Sequence, residues 1–459
     1  MRQPKTLTVN KYKHARQLSQ DSATPAPVTS PPAETLNSPA ERIGPLRLRR
    51  VKRDQVTPVP ARLADLLPPD HLARLIWDAI VRLDLTAFYD SIVVVEGGPG
   101  QAATDPQILV AVWTYATSQG VTSARALDQL CVEHLAYIWL CGGVPMNYHT
   151  LSDFRIKHRQ ALDDLMTQVL GRLCHAGLVE FEHIAQDGIR VRASAGAASF
   201  HRQATLEKCL TEAQALLTAL EAPSNFETEA ITGQEQAARE RAARERVDRL
   251  EAALAEMPAA QQAKPTAERG EARVSSTDPE ARVMKMPDGG FRPAYNVQFA
   301  TDTAHLVITG VDVTNAGSDK TEMAPMLDQV QARCDQLPAD WLMDGGFVSA
   351  AAIETGADQQ VRVLAPVPAP KNPDRDPARP LPTDSPAVAE WRERMATPEA
   401  KATYRLRAAT SECVNAQARS SHGLLQFRVR GLIKVLCVAL WIALTHNLLI
   451  WVRHVLSLP

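Results

Sequence analysis

The stretch H-I-A-Q-D-G-I-R-V-R-A, residues 183–193, decides how the rest of this chain is read. It reads as a β-strand with a carboxylate, Asp187, near its middle. Upstream of it the pattern is helical. Asp70 is placed to cap a helix carrying Leu72, Leu75, Ile76, Ile80 and Leu83 on one face. Thr104-Asp105-Pro106 opens a second helix, with proline in its first turn, and Gly120 closes it. Thr122 or Ser123 opens a third, bearing Leu127, Leu130, Leu135 and Ile138. Thr150 with Asp153 fits a capping box for a long helix through about Gly171. Residues 46–178 are therefore expected to form an all-helical N-terminal domain. The proline- and serine-rich residues 1–45 before it are expected to be disordered.

Downstream of Phe200 lie two helical stretches of mixed charge, lined by Leu206, Leu210, Leu217 and Leu220 and then by Val247, Leu250, Leu254 and Met257. Their apolar stripes are narrow, so the pair is expected to pack on itself or on a neighbour. It reads as an insertion over about 200–276. Strand signals then return. Pro287 to Gly290 is a turn, Tyr295 to Ala300 alternates, and Leu306 to Val313 is a further strand. Asp319 to Gln336 reads as helix, Trp341 to Met343 as a short strand delivering Asp344, and Val361 to Ala365 as another strand. Helices follow a proline-rich loop, from about Ala387 to Leu456. With the insertion removed the order is three strands, helix, strand, strand, helices. That order is compatible with a ribonuclease H-like α/β fold over 179–459, in which a central mixed sheet carries helices on its faces.

The 459 residues and 45% hydrophobic content are ample for buried cores. The net charge of −2 hides a local excess: Met1 to Arg62 carry twelve Lys or Arg against four acids. A solvated tail is the commoner meaning of such a run, and a phosphate-seeking arm the alternative. No apolar stretch follows the start M-R-Q-P-K, so no secretory signal is read there. The seven cysteines (131, 141, 174, 209, 334, 413, 437) form no C-x-x-C, which argues for reduced thiols in a cytoplasmic protein and against structural zinc. Leu432 to Val452 is apolar enough to raise a membrane question. Lys434, His446 and Asn447 would be costly in lipid, so a buried core helix is expected and no membrane partner.

Three carboxylates stand in distinct settings: Asp187, Asp344 in W-L-M-D-G-G-F (341–347), and Glu412 in Y-R-L-R-A-A-T-S-E-C-V-N-A-Q-A-R (404–419). Hard oxygen ligands arriving from three elements are what Mg²⁺ needs if it is to bridge phosphate oxygens. The chain holds 52 acids, and each of the three has a plainer reading alone. An aspartate before glycine is usually turn chemistry, and a glutamate on a helix is usually solvated.

The surrounding strings make the difference. From about residue 50 to 455 they resemble bacterial insertion-sequence transposases of the DDE type. S-Q-G-V-T-S-A-R-A-L-D-Q-L-C-V-E-H-L (118–135) and T-L-S-D-F-R-I-K-H (150–158) are similar to that family's N-terminal helical domain. D-G-I-R-V-R-A-S-A (187–195), D-P-E-A-R-V-M-K-M-P-D-G-G-F-R-P-A-Y-N-V-Q-F-A (278–300) and D-G-G-F (344–347) are similar to its successive strand motifs. The run 404–419 and G-L-L-Q-F-R-V-R-G-L-I-K-V (423–435) resemble its C-terminal signature.

The resemblance implies that Asp187, Asp344 and Glu412 are the catalytic, metal-binding triad, holding two Mg²⁺ ions that Mn²⁺ can replace. In the broader group the third motif reads Tyr, two residues, Arg, three residues, Glu, six residues, Lys. Tyr404 and Arg407 fit, but four residues separate Arg407 from Glu412, and Arg419 stands in place of Lys. A one-residue shift on a helix turns a side chain by about 100°. Arginine for lysine keeps a phosphate-pairing cation but changes its geometry.

The implied reactions are hydrolysis at the element's ends, then transesterification as the freed 3′-hydroxyl attacks target DNA. The implied partners are double-stranded DNA, as inverted-repeat ends and as target, and further copies of the chain, since two ends need at least two protomers. Arg190 and Arg192 follow Asp187 and are placed to meet phosphate, with strand-edge solubility as the equal alternative. Arg155, Lys157 and Arg159, with His158, form a basic cluster that is either DNA-facing or merely solvated. Tyr404, Arg407 and Arg419 complete the expected DNA contacts. Trp113, Tyr137 and Trp139 are expected in the helical core, Asp302 and Asp312 in surface or turn positions, and His422 in a cap or core. Asp278 and Arg282 in D-P-E-A-R either touch DNA, order the site, or tie a loop by a salt bridge. Two other functions fit the same fold: a catalytically inactive, transposase-derived DNA-binding protein, and a ribonuclease H-like nuclease of another substrate. The presence of all three acids argues against the first.

Overall fold

The computed structural model describes residues 62–95, 99, 101–221, 233–370 and 374–456. The expected disordered tail over 1–45 lies outside the described residues.

Seven helices open the described chain: α1 (Leu72–Ile80), α2 (Thr86–Tyr89), α3 (Pro106–Ser118), α4 (Ala124–Glu133), α5 (Leu135–Cys141), α6 (Tyr148–Lys157) and α7 (Arg159–His175). Asp105 and Ser123 cap α3 and α4 as the sequence suggests. Four starts or stops differ from expectation. His71, not Asp70, caps α1 through its Nδ1, which accepts from the amide of Ala73. The run expected as one helix from Thr122 breaks at His134, whose backbone is extended and whose ring caps α5. The expected long helix starts at Asn147, whose Oδ1 accepts from the amide of Thr150 at 2.9 Å, so the Thr150–Asp153 box is not used. That helix also breaks at His158, where the ring packs beside Phe88 and Phe154. In each break a histidine trades a backbone bond for a ring contact or a cap, a choice that periodicity does not record.

The remainder runs β1 (His183–Arg192), β2 (Phe200–His201), α8 (Gln203–Glu221), α9 (Gly233–Ala255), α10 (Met257–Gln262), β3 (Val274–Ser275), β4 (Arg282–Lys285), β5 (Phe291–Asp302), β6 (Ile308–Thr314), α11 (Met323–Cys334), β7 (Asp340–Leu342), α12 (Ala350–Asp358), β8 (Arg362–Leu364), α13 (Pro386–Ala396), α14 (Pro398–Ser420) and α15 (Leu432–Trp451). The main sheet follows the path β6-β5-β1-β7-β8, and β4 adds to the first residues of β5. β5 is antiparallel to both β1 and β6, whereas β7 runs parallel to β1 and β8 parallel to β7. The sheet is therefore mixed, with β1 at its middle. β4 and α12 were not anticipated. α12 is capped by Ser349, whose Oγ accepts from the amide of Ala352.

β1 has two differently employed faces, as the two-residue period of a strand requires. Asp187 turns toward α14, while Gln186, Gly188 and Arg190 turn toward the loop and helix of α11. Gln186 is wholly buried and fully used: its amide donates to Gln298 and to the carbonyl of Glu322, and its oxygen accepts from Trp341.

The apolar helix α15 lies inside the protein, against α3, α6 and α7 on one side and β6 on another. Asn447 and His446 have internal partners, which explains their presence in so apolar a run. Asn447 accepts from the amide of Ile308 and donates to its carbonyl, at 2.9 and 2.7 Å. The Nε2 of His446 lies 2.8 Å from the carbonyl of Leu306. Its first turn is satisfied by the D-P-E-A-R segment: Asp278 accepts from Gly431 and Glu280 from Leu432. Arg282 of the same segment pairs with Glu256 at the end of the inserted helices. The segment thus ties a loop by hydrogen bonds and a salt bridge. One apolar core runs from Leu67 to Val452 and includes residues of the first seven helices, the sheet and α15, with Trp113 and Tyr137 buried in it and Trp139 packed against it. Helices α8 and α9, with Met257 of α10, pack around a small core of their own that includes Leu206, Val247 and Leu250.

Candidate active site

Extending the parallel register of β1 and β7, in which Ala185 pairs with Leu342, sets Asp187 beside Asp344. The charge of Asp344 acts on Asp187. Burial pushes the Asp187 carboxyl up to about 6, Arg407 pulls it down, and the charges of Asp344 and Asp319 push it further up. Asp187 Oδ1 accepts from the amide of Gly188 and lies 3.8 Å from the Arg407 guanidinium, while Oδ2 accepts from Asn415 at 2.9 Å. Asp344 Oδ1 accepts from the amide of Gly346 at 2.7 Å, so the turn chemistry of D-G-G is present beside the charge pair.

Two glycines keep this region open. A Cβ on Gly346 would sit 2.9 Å from Asp344 Oδ1 and 3.8 Å from Asp319 Oδ2. A Cβ on Gly188 would sit 2.5 Å from Gln298 Nε2, 2.7 Å from Asn296 Oδ1 and 2.9 Å from Asp319 Oδ1. Any larger residue would push into the polar side chains that surround the aspartates.

Helix α14 presents Arg407, Ser411 and Asn415 toward the sheet, a stripe spaced by four. Tyr404 belongs to the same neighbourhood: burial pushes its phenol up, and Arg407, Asp344 and Asp187 all act on it. Glu412 sits one residue past the buried Ser411, is exposed, and has no hydrogen-bonding or ionic partner among the described residues. The extra residue after Arg407 thus leaves a serine, not the glutamate, on the inward stripe.

Of the residues singled out in the sequence, Asp187, Asp344, Tyr404 and Arg407 come together. Arg190 lies on the other face of β1, donating to Asp319 and to the carbonyl of Gly317. Arg192, Arg159 and Lys157 are exposed, the last paired with Asp153, and Arg419 is half-buried. Arg155 is buried. Its guanidinium lies over Trp113 and donates to the carbonyl of Thr122. Two residues of the site escaped the sequence reading. Asp319, read as the first turn of a helix, lies in the loop before α11 and accepts from Asn296, Gln298 and Arg190. Asn415 stands eight residues after Arg407, a spacing that would have placed it on the same face. For Asp319 no local signal exists.

Among the described residues no three His, Cys, Asp or Glu side chains are grouped to hold a metal ion. The Asp187–Asp344 pair nevertheless suits a divalent cation in its donor chemistry: hard oxygens, like charges side by side, and a carboxyl whose proton affinity is raised by its setting. Glu412 stands outside that pair.

A mixed sheet with one aspartate on its central strand and a second just past the end of the neighbouring parallel strand, flanked by a tyrosine and an arginine, defines a carboxylate-centred site on a helical scaffold. Residues 381–450 match the family model of a transposase DDE domain, a span that includes Tyr404, Arg407, Glu412 and Arg419. Residues 61–157, covering α1 to α6, match that of a transposase domain (DUF772). No curated protein and no solved structure matches the chain.

Proposed function

We propose that this chain is a DDE-type transposase of a bacterial insertion sequence, acting in the cytoplasm on double-stranded DNA with a ribonuclease H-like catalytic domain. The observation that carries the reading is the juxtaposition of Asp187 on β1 and Asp344 just past the end of the neighbouring parallel strand β7, between two segments that match transposase models. The strand order, three antiparallel strands followed by two parallel ones, supports the fold assignment. In this reading the N-terminal helices and the catalytic sheet are sealed over a shared helix, α15, with α8 and α9 as an insertion.

Asp187 and Asp344 would hold divalent cations, Mg²⁺ or Mn²⁺, with Glu412 of α14 as the third carboxylate of the triad. Divalent cations bound there would supply Lewis-acid activation of the attacking and leaving oxygens. Arg407 offsets the charge of Asp187, and with Tyr404 it faces the scissile phosphate. Arg190, Arg192, Lys157, Arg159 and Arg419 supply further cationic contacts to the DNA backbone. The same site would first hydrolyse the phosphodiester at the element's end and then direct the freed 3′-hydroxyl onto a target phosphorus, so that a new phosphodiester forms as the target strand's own 3′-oxygen leaves. Two ends require at least two protomers.

A second reading, a DNA-binding descendant without catalysis, draws on the outward position of Glu412. One assay separates them. A duplex carrying the inverted repeats that flank the gene is incubated with the protein in Mg²⁺ or Mn²⁺. The transposase reading expects nicks at the repeat ends, lost in Asp344→Asn and Glu412→Gln while gel-shift binding persists. Binding without any nick in the unaltered protein establishes the second reading.

A further inference from the structure

Arg155 is the most unusual cation in the described fold. It is 6% exposed, yet no carboxylate pairs with it among the described residues, and its Nε has no hydrogen-bond partner. Its NH1 donates to the carbonyl of Thr122, its guanidinium covers Trp113 at 4.6 Å from the ring centroid, and burial pushes it down to about 10. A buried charge without a counterion is costly, and the cost is relieved by an anion. Arg155 lines a cavity of about 460 Å³, shared with Ser123, Arg125, Tyr148, Ser152 and Arg428. No acidic residue lines it. Arg125 lies over the Tyr148 ring, 5.1 Å from its centroid. The cavity also opens at the start of the ten-residue helix α4, where first-turn amides lack intrahelical partners, that of Ala126 donating to Ser123 Oγ, and the helix dipole is positive.

We propose that this cleft is a phosphate pocket. Three guanidiniums from α4, α6 and the α14–α15 connection converge on one anion, with the hydroxyls of Ser152 and Tyr148 and the α4 amides completing its shell. Guanidinium forks and helix N-termini both suit tetrahedral oxyanions. Its phosphate is a backbone phosphate of duplex DNA, an assignment of source that rests on the transposase reading. The cleft joins both segments that match transposase models, so a strand held there is gripped by the helical region and by the connection that follows α14, the helix carrying Arg407 and Glu412.

The test uses the full-length protein with Arg125→Gln and Arg428→Gln, both at exposed positions, and Arg155→Lys as a third variant. Two probes are used: a mixed-sequence duplex titrated at several salt concentrations, and inorganic phosphate compared with chloride at equal ionic strength in thermal unfolding. The proposal expects the double variant Arg125→Gln/Arg428→Gln to lower the slope of log affinity against log salt by about 0.9, the loss of one phosphate contact, equally for unrelated sequences. It also expects phosphate to raise the Tm of the unaltered protein and not of that variant. A phosphate response with an unchanged DNA slope makes the source a free phosphate and overturns the DNA assignment. Unchanged slope and no phosphate response overturn the pocket. Asp187→Asn is the control for the catalytic reading: if it still nicks, that reading fails while the salt slope stands on its own.

Discussion

Replacing Asp187 with asparagine should make the protein more stable and at the same time remove its cleavage activity. The carboxyl is pushed up to about 6 from an ordinary 3.8, mainly by burial and then by the neighbouring charges of Asp344 and Asp319 acting against Arg407. At 1.36 kcal/mol per pH unit, ionising it in place costs about 3 kcal/mol relative to the unfolded chain. Between pH 3.8 and about 6 the folded state binds more protons than the unfolded state, so stability falls as pH rises through that window and is level above it. Asparagine stays neutral and keeps an oxygen for the amide of Gly188. Asp187→Asn should therefore exceed the unaltered protein by up to about 3 kcal/mol at pH 8, with the difference vanishing below about pH 4. Urea denaturation of both proteins at pH 4 and pH 8, without divalent metal, measures it. Other raised carboxyls, such as Asp278 and Asp312, affect both proteins alike and drop out of the difference. A variant no more stable than the parent at pH 8 refutes the claim that this carboxylate is held at a cost.

Three other outcomes follow from particular contacts. Arg407→Ala removes the cation that pulls the Asp187 carboxyl down, so its titration, followed by carboxyl NMR, should move above about 6; a downward move contradicts the arrangement. Asn447→Leu leaves the buried amide and carbonyl of Ile308 unpaired and should cost about 3 kcal/mol in urea denaturation; a loss below 1 kcal/mol, roughly, would show that they find other partners. Gly188→Ala forces a methyl against Gln298, Asn296 and Asp319 and should cost about 1–3 kcal/mol, with a raised requirement for divalent metal in nicking; a neutral effect on both would mean those side chains move aside freely.

How far the sequence carried the reading depends on whether a feature is local. Strand β1 with Asp187, the short strand before Asp344 and the buried helix α15 each announce themselves through composition and spacing within a few residues. Their adjacency was implied only by element order. The phase of α14 was not legible, because which stripe faces the sheet is set by packing on β1: Arg407, Ser411 and Asn415 face inward and Glu412 does not. Asp319 was hidden for the same kind of reason, since its partners on β1 and β5 lie more than twenty residues away. The breaks at His134 and His158 depend on ring contacts and caps that compete with helix propagation. The burial of Arg155 was illegible too, as its neighbours Lys157 and Arg159 point to solvent and only the fold sets it against Trp113.

Titration of the full-length protein with Mn²⁺, read by the loss of free-ion electron paramagnetic resonance signal, asks most directly whether these aspartates cradle cations. The account predicts bound Mn²⁺ at pH 8, weakening as pH falls below about 6 when Asp187 takes up a proton, and strongly reduced in Asp187→Asn and Asp344→Asn. Unaltered Mn²⁺ binding in both variants would contradict it.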